Sequence, residues 1–180
     1  TSEAKEYMAA MNFALMFALE SRTRMMAAMM QSLSDVFTGT TFEEPINVHH
    51  NYARFESHFG KNVIVHRKGA TSARTGEAGI IPGSQGTASH IVRGLGNPES
   101  FTSCSHGAGR RMGRKQASRE LSLEGEIKRL NDAGVIHGIR SVKDLDEAAG
   151  AYKDINAVMA NQADLVEIVE TLRPLAVVKA

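Results

Sequence analysis

Residues 103–112 read SCSHGAGRRM and combine a cysteine, a histidine, two glycines and two arginines. In this segment Gly107 and Gly109 flank a short turn directly after His106. Glycines let backbone N–H groups approach an anion closely, and arginine guanidinium groups bind phosphate oxygens. A neutral imidazole can also attack phosphorus and hold a nucleotidyl group covalently. The segment therefore predicts a phosphate- or nucleotide-binding turn, in which at least one of Arg110, Arg111 and Arg114 is expected to meet phosphates.

Two other interpretations of this segment stay open. His106 can be a capping histidine at a helix N-terminus without a chemical role. Cys104 and His106 can also be a Cys–His catalytic pair of the kind found in cysteine proteases.

The composition is that of an ordinary soluble globular protein of one domain. Hydrophobic residues make up 42% and charged residues 23% of the 180 residues, with a net charge of +1. The near-neutral charge argues against a generally basic nucleic-acid coat, and one cysteine excludes an internal disulfide framework. No apolar run is long enough for a membrane span, so we expect no membrane partner and a cytoplasmic location. The start lacks both an initiator Met and a signal-peptide pattern, which predicts part of a longer chain.

Apolar periodicity and helix breakers predict an α+β domain with a mixed sheet, long packed helices and a glycine-rich active face. A helix over residues 2–34, with Ser2 as its N-cap, carries apolar residues on more than one face, so we expect it to be largely buried. Residues 69–114 hold ten of the sixteen glycines and are expected to be ordered around a ligand. The other predicted elements are strands over 62–69 and 90–94, helices over 115–133 and 154–172, and a closing strand over 175–180.

Further polar positions are candidates for the same site. The glycine turn PGSQGTAS, residues 82–89, offers the hydroxyls of Ser84, Thr87 and Ser89 to a phosphate or a base. His49 and His50 precede Asn51, and at most one of these adjacent histidines is expected to serve the site. Tyr152 is a possible stacking platform, and Lys179 ends an apolar segment where a lysine needs a partner.

Several segments, taken together and in chain order, carry a family resemblance. They are NVHHNYARFE, HRKGATSA, IPGSQGTASHIV, GNPESFTSCSHGAGRRMGR, GVIHGIRSVKDLDEAAGAYKDI and LRPLAVVKA. They resemble the C-terminal part of the RtcB family of tRNA-splicing RNA ligases, over residues 1–180. The resemblance implies an enzyme that joins RNA 3′-phosphate or 2′,3′-cyclic phosphate ends to 5′-hydroxyl ends with GTP and manganese (Mn2+). It also implies a monomer when full-length, with an accessory activator protein as a further possible partner.

The resemblance implies a role for each matching position. His106 becomes the nucleophile that carries GMP, His50 becomes a manganese ligand, and Cys104 has no chemical role. The implied guanylate contacts are Asn51, Ser84, Ser89, Gly107, Ala108, Gly109, Tyr152 and Lys179.

The chain also departs from the family pattern. The family's N-terminal half, which supplies most manganese ligands, has no counterpart here, and Gln85 stands where methionine is usual. One remaining ligand cannot hold manganese tightly. The alternative hypothesis is therefore a non-catalytic RNA- or nucleotide-binding remnant, and a third is a metal-dependent phosphohydrolase.

Overall fold

The computed structural model describes residues 1–178, and helices and strands are mixed along the chain, which confirms the α+β class. The chain divides into two compact units, Thr1–Lys68 and Gly69–Ala180. Each unit is described by itself below, and the single ligase domain over 1–180 stays a prediction.

The first unit consists of one long helix and one hairpin. Helix α1 spans Ser2–Val36, and its N-cap is Thr1 instead of the expected Ser2, because the Thr1 hydroxyl accepts the Ala4 N–H at 3.3 Å. Strands β1 (Asn51–His58) and β2 (Lys61–Lys68) pair antiparallel. The strand predicted over 62–69 is confirmed as β2.

The expected burial of α1 is wrong. None of its residues is buried, and the side chains of Phe13, Met16 and Phe17 are 75%, 71% and 70% exposed. A two-stranded hairpin is too small to cover the several apolar faces of a 35-residue helix.

The second unit contains two small antiparallel sheets. Strand β3 (Ala70–Ser72) pairs with β6 (Ser103–Ser105), and Thr71 lies opposite Cys104. Strands β4 (Ala78–Ile81), β5 (Ser89–Gly94) and β7 (Val166–Leu172) form a three-stranded sheet in the order β4-β5-β7. The strand predicted over 90–94 is thus confirmed as β5, at the centre of that sheet.

The helix predicted over 115–133 is two helices, α2 (Arg114–Glu120) and α3 (Leu123–Asp132). The break occurs because the hydroxyl of Ser122 accepts the N–H of Gly125 at 3.1 Å and starts a new helix.

The helix predicted over 154–172 is also wrong beyond its first turns. Helix α4 spans only Ile155–Ala160, and residues 166–172 form β7 against β5. Val, Ile and Thr in this segment favour a strand, and β5 provides the partner with which it pairs. The closing strand predicted over 175–180 appears as a single parallel bridge between Ile136 and Ala176, and Lys179 lies outside the described residues.

Two buried clusters hold the second unit together. One joins the sheets to α4, and the other packs α3 against the segment that follows it. The first cluster consists of Ala73, Ile81, Val92, Cys104, Ala108, Ile155, Met159 and Val166. The second consists of Leu130, Val135, Ile139, Leu145 and Ala148.

Candidate functional site

His106 is positioned by the end of β6. Cys104, in that strand, is 4% exposed and packs in the first core cluster, as buried cysteines commonly do. His106 follows the strand and is only half-buried, and its backbone N–H donates to the Gly69 carbonyl at 3.4 Å. Strand β6 is therefore fixed in the core through Cys104, and His106 is the first residue after this strand.

Gly69 lies beside the His106 ring. A Cβ atom at position 69 would be 3.4 Å from both Cδ2 and Nε2 of His106, and the backbone there has a φ of +71°. Glycine is the residue that adopts this φ without strain, and a larger residue at position 69 would place its Cβ in contact with the imidazole. The sequence analysis did not single out Gly69.

The turn after His106 packs against the loop that follows β4. The N–H of Ala108 donates to the Pro82 carbonyl at 2.9 Å, and a Cβ at Gly107 would be 3.2 Å from that oxygen. Gly109 has a φ of +73°, which favours glycine. These contacts bring two predicted glycine turns, 82–89 and 107–109, together in one place.

The loop over residues 82–89 is closed by its own side chains. The hydroxyls of Ser84 and Thr87 lie 2.8 Å apart, and the Gly83 N–H donates to the Ser89 hydroxyl at 3.3 Å. The Gln85 Oε1 atom is buried and has no hydrogen-bond partner within residues 1–178. A buried acceptor of this kind calls for a donor outside the described residues, such as a water, a hydroxyl or a base N–H.

Tyr152 is tied to the segment that follows the His106 turn. It forms an antiparallel bridge with Arg110, and the Lys153 N–H donates to the Gly109 carbonyl at 2.9 Å. The hydroxyl of Tyr152 donates to the carboxylate of Glu147. The second unit therefore brings together His106, Gly107, Ala108, Gly109, Ser84, Ser89 and Tyr152 through direct contacts or short connecting segments.

Arg110 and Arg111, two of the three arginines after His106, donate to groups within the second unit. Arg110 donates to the Glu147 carboxylate at 3.0 Å and to the Asp146 carbonyl at 2.5 Å, and Arg111 donates to the Gly150 carbonyl at 2.7 Å. The two arginines thus supply donors to the backbone carbonyls of Asp146 and Gly150, and these bonds hold the segment that leads to Tyr152.

Arg114 also pairs with Glu147, at 2.8 Å, but its side chain is 72% exposed. It is therefore the one of the three that best fits the expected contact with phosphates, and that contact stays a prediction.

The Glu147 carboxylate is held in its charged form. Desolvation by burial opposes this, but the hydrogen bonds from Tyr152 and Arg114 and the charges of Arg110 and Arg114 lower the pKa of Glu147 overall. The pKa of Tyr152 is raised, by burial first and then by its hydrogen bond to Glu147. The Tyr152 hydroxyl therefore stays protonated and serves as a donor.

His50 and Asn51 lie in the first unit, where Asn51 begins β1 opposite Lys68. His49 lies 3.5 Å from the Arg22 guanidinium through Nδ1, and its ring meets that of Tyr52 edge-on. Burial lowers the pKa of His49, and the nearby charges of Arg22, Arg54 and His50 lower it further. The neutral form of this imidazole is therefore favoured.

Metal ligands do not cluster in the part of the chain that the structure describes. No group of three or more His, Cys, Asp and Glu side chains there is arranged to hold a metal ion. The residues present thus do not by themselves make the manganese site that the resemblance implies.

No helix among the described residues has both the length and the apolar character of a membrane span.

The geometry defines a candidate nucleotide site in which a histidine, two glycine turns and a tyrosine converge. The family model for tRNA-splicing ligase RtcB matches residues 1–180, and the chain belongs to this family. It is 47% identical to RNA-splicing ligase RtcB1 of Escherichia coli strain ATCC 25922 and 46% identical to RNA-splicing ligase RtcB of strain K12, over 97% of this chain in each case. It is 33% identical to tRNA-splicing ligase RtcB of Thermococcus kodakarensis over 99% of the chain.

The chain spans only 43% of the length of both Escherichia coli relatives and 42% of the archaeal one.

Proposed function

We propose that this chain is the guanylate-carrying part of a GTP- and manganese-dependent RNA ligase. The observation that carries the proposal is the convergence of the His106 turn on the Pro82 loop, with Gly69 beside the imidazole. The names of the relatives, RNA-splicing and tRNA-splicing ligase, support the same reaction class.

His106 is the proposed nucleophile. One ring nitrogen attacks the α-phosphorus of GTP, the N–P bond forms, and the bond to the bridging oxygen breaks to release pyrophosphate. The other ring nitrogen relieves the positive charge by giving up its proton. The RNA 3′-phosphate then attacks the same phosphorus and displaces His106, and a 5′-hydroxyl finally attacks the RNA phosphorus and releases GMP. A 2′,3′-cyclic phosphate end is first hydrolysed to the 3′-phosphate.

The surrounding residues fit a guanylate. The glycines at 107 and 109 admit its phosphate close to the backbone, and the hydroxyls of Ser84 and Ser89 are available as donors at the loop. The buried Oε1 of Gln85, which has no partner among residues 1–178, can accept from a ribose hydroxyl or a guanine N–H. Tyr152 offers its ring, and Lys179 and Asn51 complete the set of contacts that the resemblance implies.

Manganese, when bound, would neutralise charge on the phosphates and orient them. His50 is the ligand proposed within this chain, and residues 1–178 contain no group of three or more His, Cys, Asp and Glu side chains that would complete the site. RNA is the proposed substrate, and the activator protein, the monomeric state and the cytoplasmic location remain predictions.

The test is incubation of the full-length protein with GTP labelled at the α- or the γ-phosphate, in the presence of manganese. The proposal expects an acid-labile, base-stable protein label from α-labelled GTP and none from γ-labelled GTP. A binding-only remnant would retain nucleotide without a covalent label. A phosphohydrolase would release phosphate without a labelled intermediate, and either result would overturn the proposal.

A further inference from the structure

Gln162 is a buried polar side chain that the nucleotide chemistry does not use. It lies between α4 and β7 and is only 4% exposed. Its backbone carbonyl accepts from the N–H groups of Leu165 and Val166, at 2.9 and 3.2 Å, in the turn that leads into β7. A buried amide side chain of this kind costs free energy unless its donors and its acceptor are satisfied.

The Gln162 amide is satisfied almost entirely by Ser105. Its Oε1 accepts the Ser105 N–H at 3.0 Å, and its Nε2 donates to the Ser105 hydroxyl at 2.9 Å. A further contact joins Nε2 to the Met159 sulfur at 3.3 Å. The orientation of the amide is determined, because a backbone N–H can only donate and therefore selects Oε1.

The bond from the Ser105 N–H lies on the side of β6 that does not pair with β3. Successive N–H groups of a strand point to opposite sides, and the His106 N–H faces β3, where it donates to the Gly69 carbonyl at 3.4 Å. The N–H of Ser105 therefore faces away from β3, and Gln162 is the group that binds it. The two successive peptide units before His106 are thus held on opposite sides, Cys104–Ser105 by the Gln162 side chain and Ser105–His106 by the Gly69 carbonyl.

We propose that Gln162 is a positioning residue for His106, which fixes the backbone at Ser105 so that the imidazole keeps one direction of attack. The inference rests on the proposed function, since it concerns the nucleophile of that reaction. Reacting atoms have to be held about 3–3.5 Å apart and aligned, and a displacement of about 1 Å can cost about 100-fold in rate. A rotation of the backbone at Ser105, one residue before the nucleophile, would produce a displacement of this kind.

The experiment uses the full-length protein and the single-turnover rate of adduct formation with α-labelled GTP and manganese. Gln162→Met keeps the length of the side chain and removes both bonds to Ser105, so the rate is expected to fall about 10-fold or more, while the half-saturating GTP concentration stays unchanged. Gln162→Glu retains an acceptor for the Ser105 N–H and is expected to restore most of the rate. Met159→Leu is the matched control, because it removes only the sulfur contact in the same core.

Thermal unfolding of each variant separates positioning from general loss of structure. If Gln162→Met does not fold, Ser105→Ala carries the test, since it removes only the bond to the hydroxyl and is expected to lower the rate without changing GTP saturation. If Gln162→Met forms the labelled adduct as fast as the wild type, this inference alone is overturned. The same holds for Ser105→Ala where that variant replaces Gln162→Met. A rate that falls equally in Met159→Leu overturns it as well. A wild-type protein that forms no adduct overturns the proposed function instead.

Discussion

The guanidinium carbon of Arg110 lies 5.1 Å from the centroid of the Tyr152 ring, and its Nη1 donates to the Tyr152 hydroxyl at 3.3 Å. The arginine closest in sequence to the proposed nucleophile therefore contacts the aromatic residue proposed to pack on guanine. Glu147 joins the pair by accepting from both side chains. One consequence is that the turn after His106 and the ring of Tyr152 are held in a fixed relation to each other.

Arg110→Ala is expected to destabilise the fold by about 1–3 kcal/mol, because it leaves the half-buried Glu147 carboxylate and the Asp146 carbonyl without their donor. Chemical denaturation measures this loss. Arg114→Ala is the matched control, since its side chain is 72% exposed and pairs with the same Glu147. Equal losses in the two variants would contradict the structural role of Arg110.

Arg114→Gln is expected to flatten the salt dependence of RNA binding. Loss of one phosphate contact reduces the slope of log K against log salt by about one unit. Titrations of RNA at several salt concentrations measure the slope. Lys128→Gln, which removes a similarly exposed cation from α3, shows whether any such change reflects only the net charge. An unchanged slope in Arg114→Gln would remove this arginine from the RNA interface.

Stability is expected to depend on pH through Glu147. Its pKa is lowered in the folded protein, so its contribution is fully present above the unfolded value, about 4.3 for glutamate, and is lost as pH falls through the folded pKa. The free energy of unfolding, measured from neutral pH downward, should therefore decrease more in the wild type than in Glu147→Gln. Parallel curves for the two proteins would show that this carboxylate is not stabilised in the folded state.

The sequence predicted the elements whose signals are local. The proline- and glycine-free stretch from Ser2 gave α1, and the β-branched run before Lys68 gave β2. It failed where tertiary pairing decides the structure: the segment over 166–172 has a helical pattern, but its backbone pairs with β5.

The motif at His106 was visible in the sequence, but its supporting residues were not. Gly69, Glu147 and Gln162 are distant in sequence and carry no local signal, because their roles depend on contacts formed only after folding. Gln162 is flanked in the sequence by Asn161 and Ala163, and this neighbourhood does not predict its burial.

Gly83→Ala is expected to disrupt the loop over 82–89, because a Cβ there would overlap the Ala88 carbonyl oxygen. Overpacking of this kind costs about 1–3 kcal/mol, and here it should also slow adduct formation with GTP. Gly138→Ala is the control, since a Cβ at Gly138 meets nothing within 4 Å. Thermal unfolding and labelling with α-labelled GTP measure the two effects. A Gly83→Ala protein with wild-type stability would contradict the closed loop.

The central claim, that His106 carries GMP, is tested most directly by one variant with two readouts. In the full-length protein, His106→Ala is expected to form no adduct with α-labelled GTP at any manganese concentration, because it lacks the attacking nitrogen. The same variant is expected to seal RNA whose 3′ end is already activated with GMP, since that step no longer needs the nucleophile. A GMP adduct on His106→Ala would contradict the account.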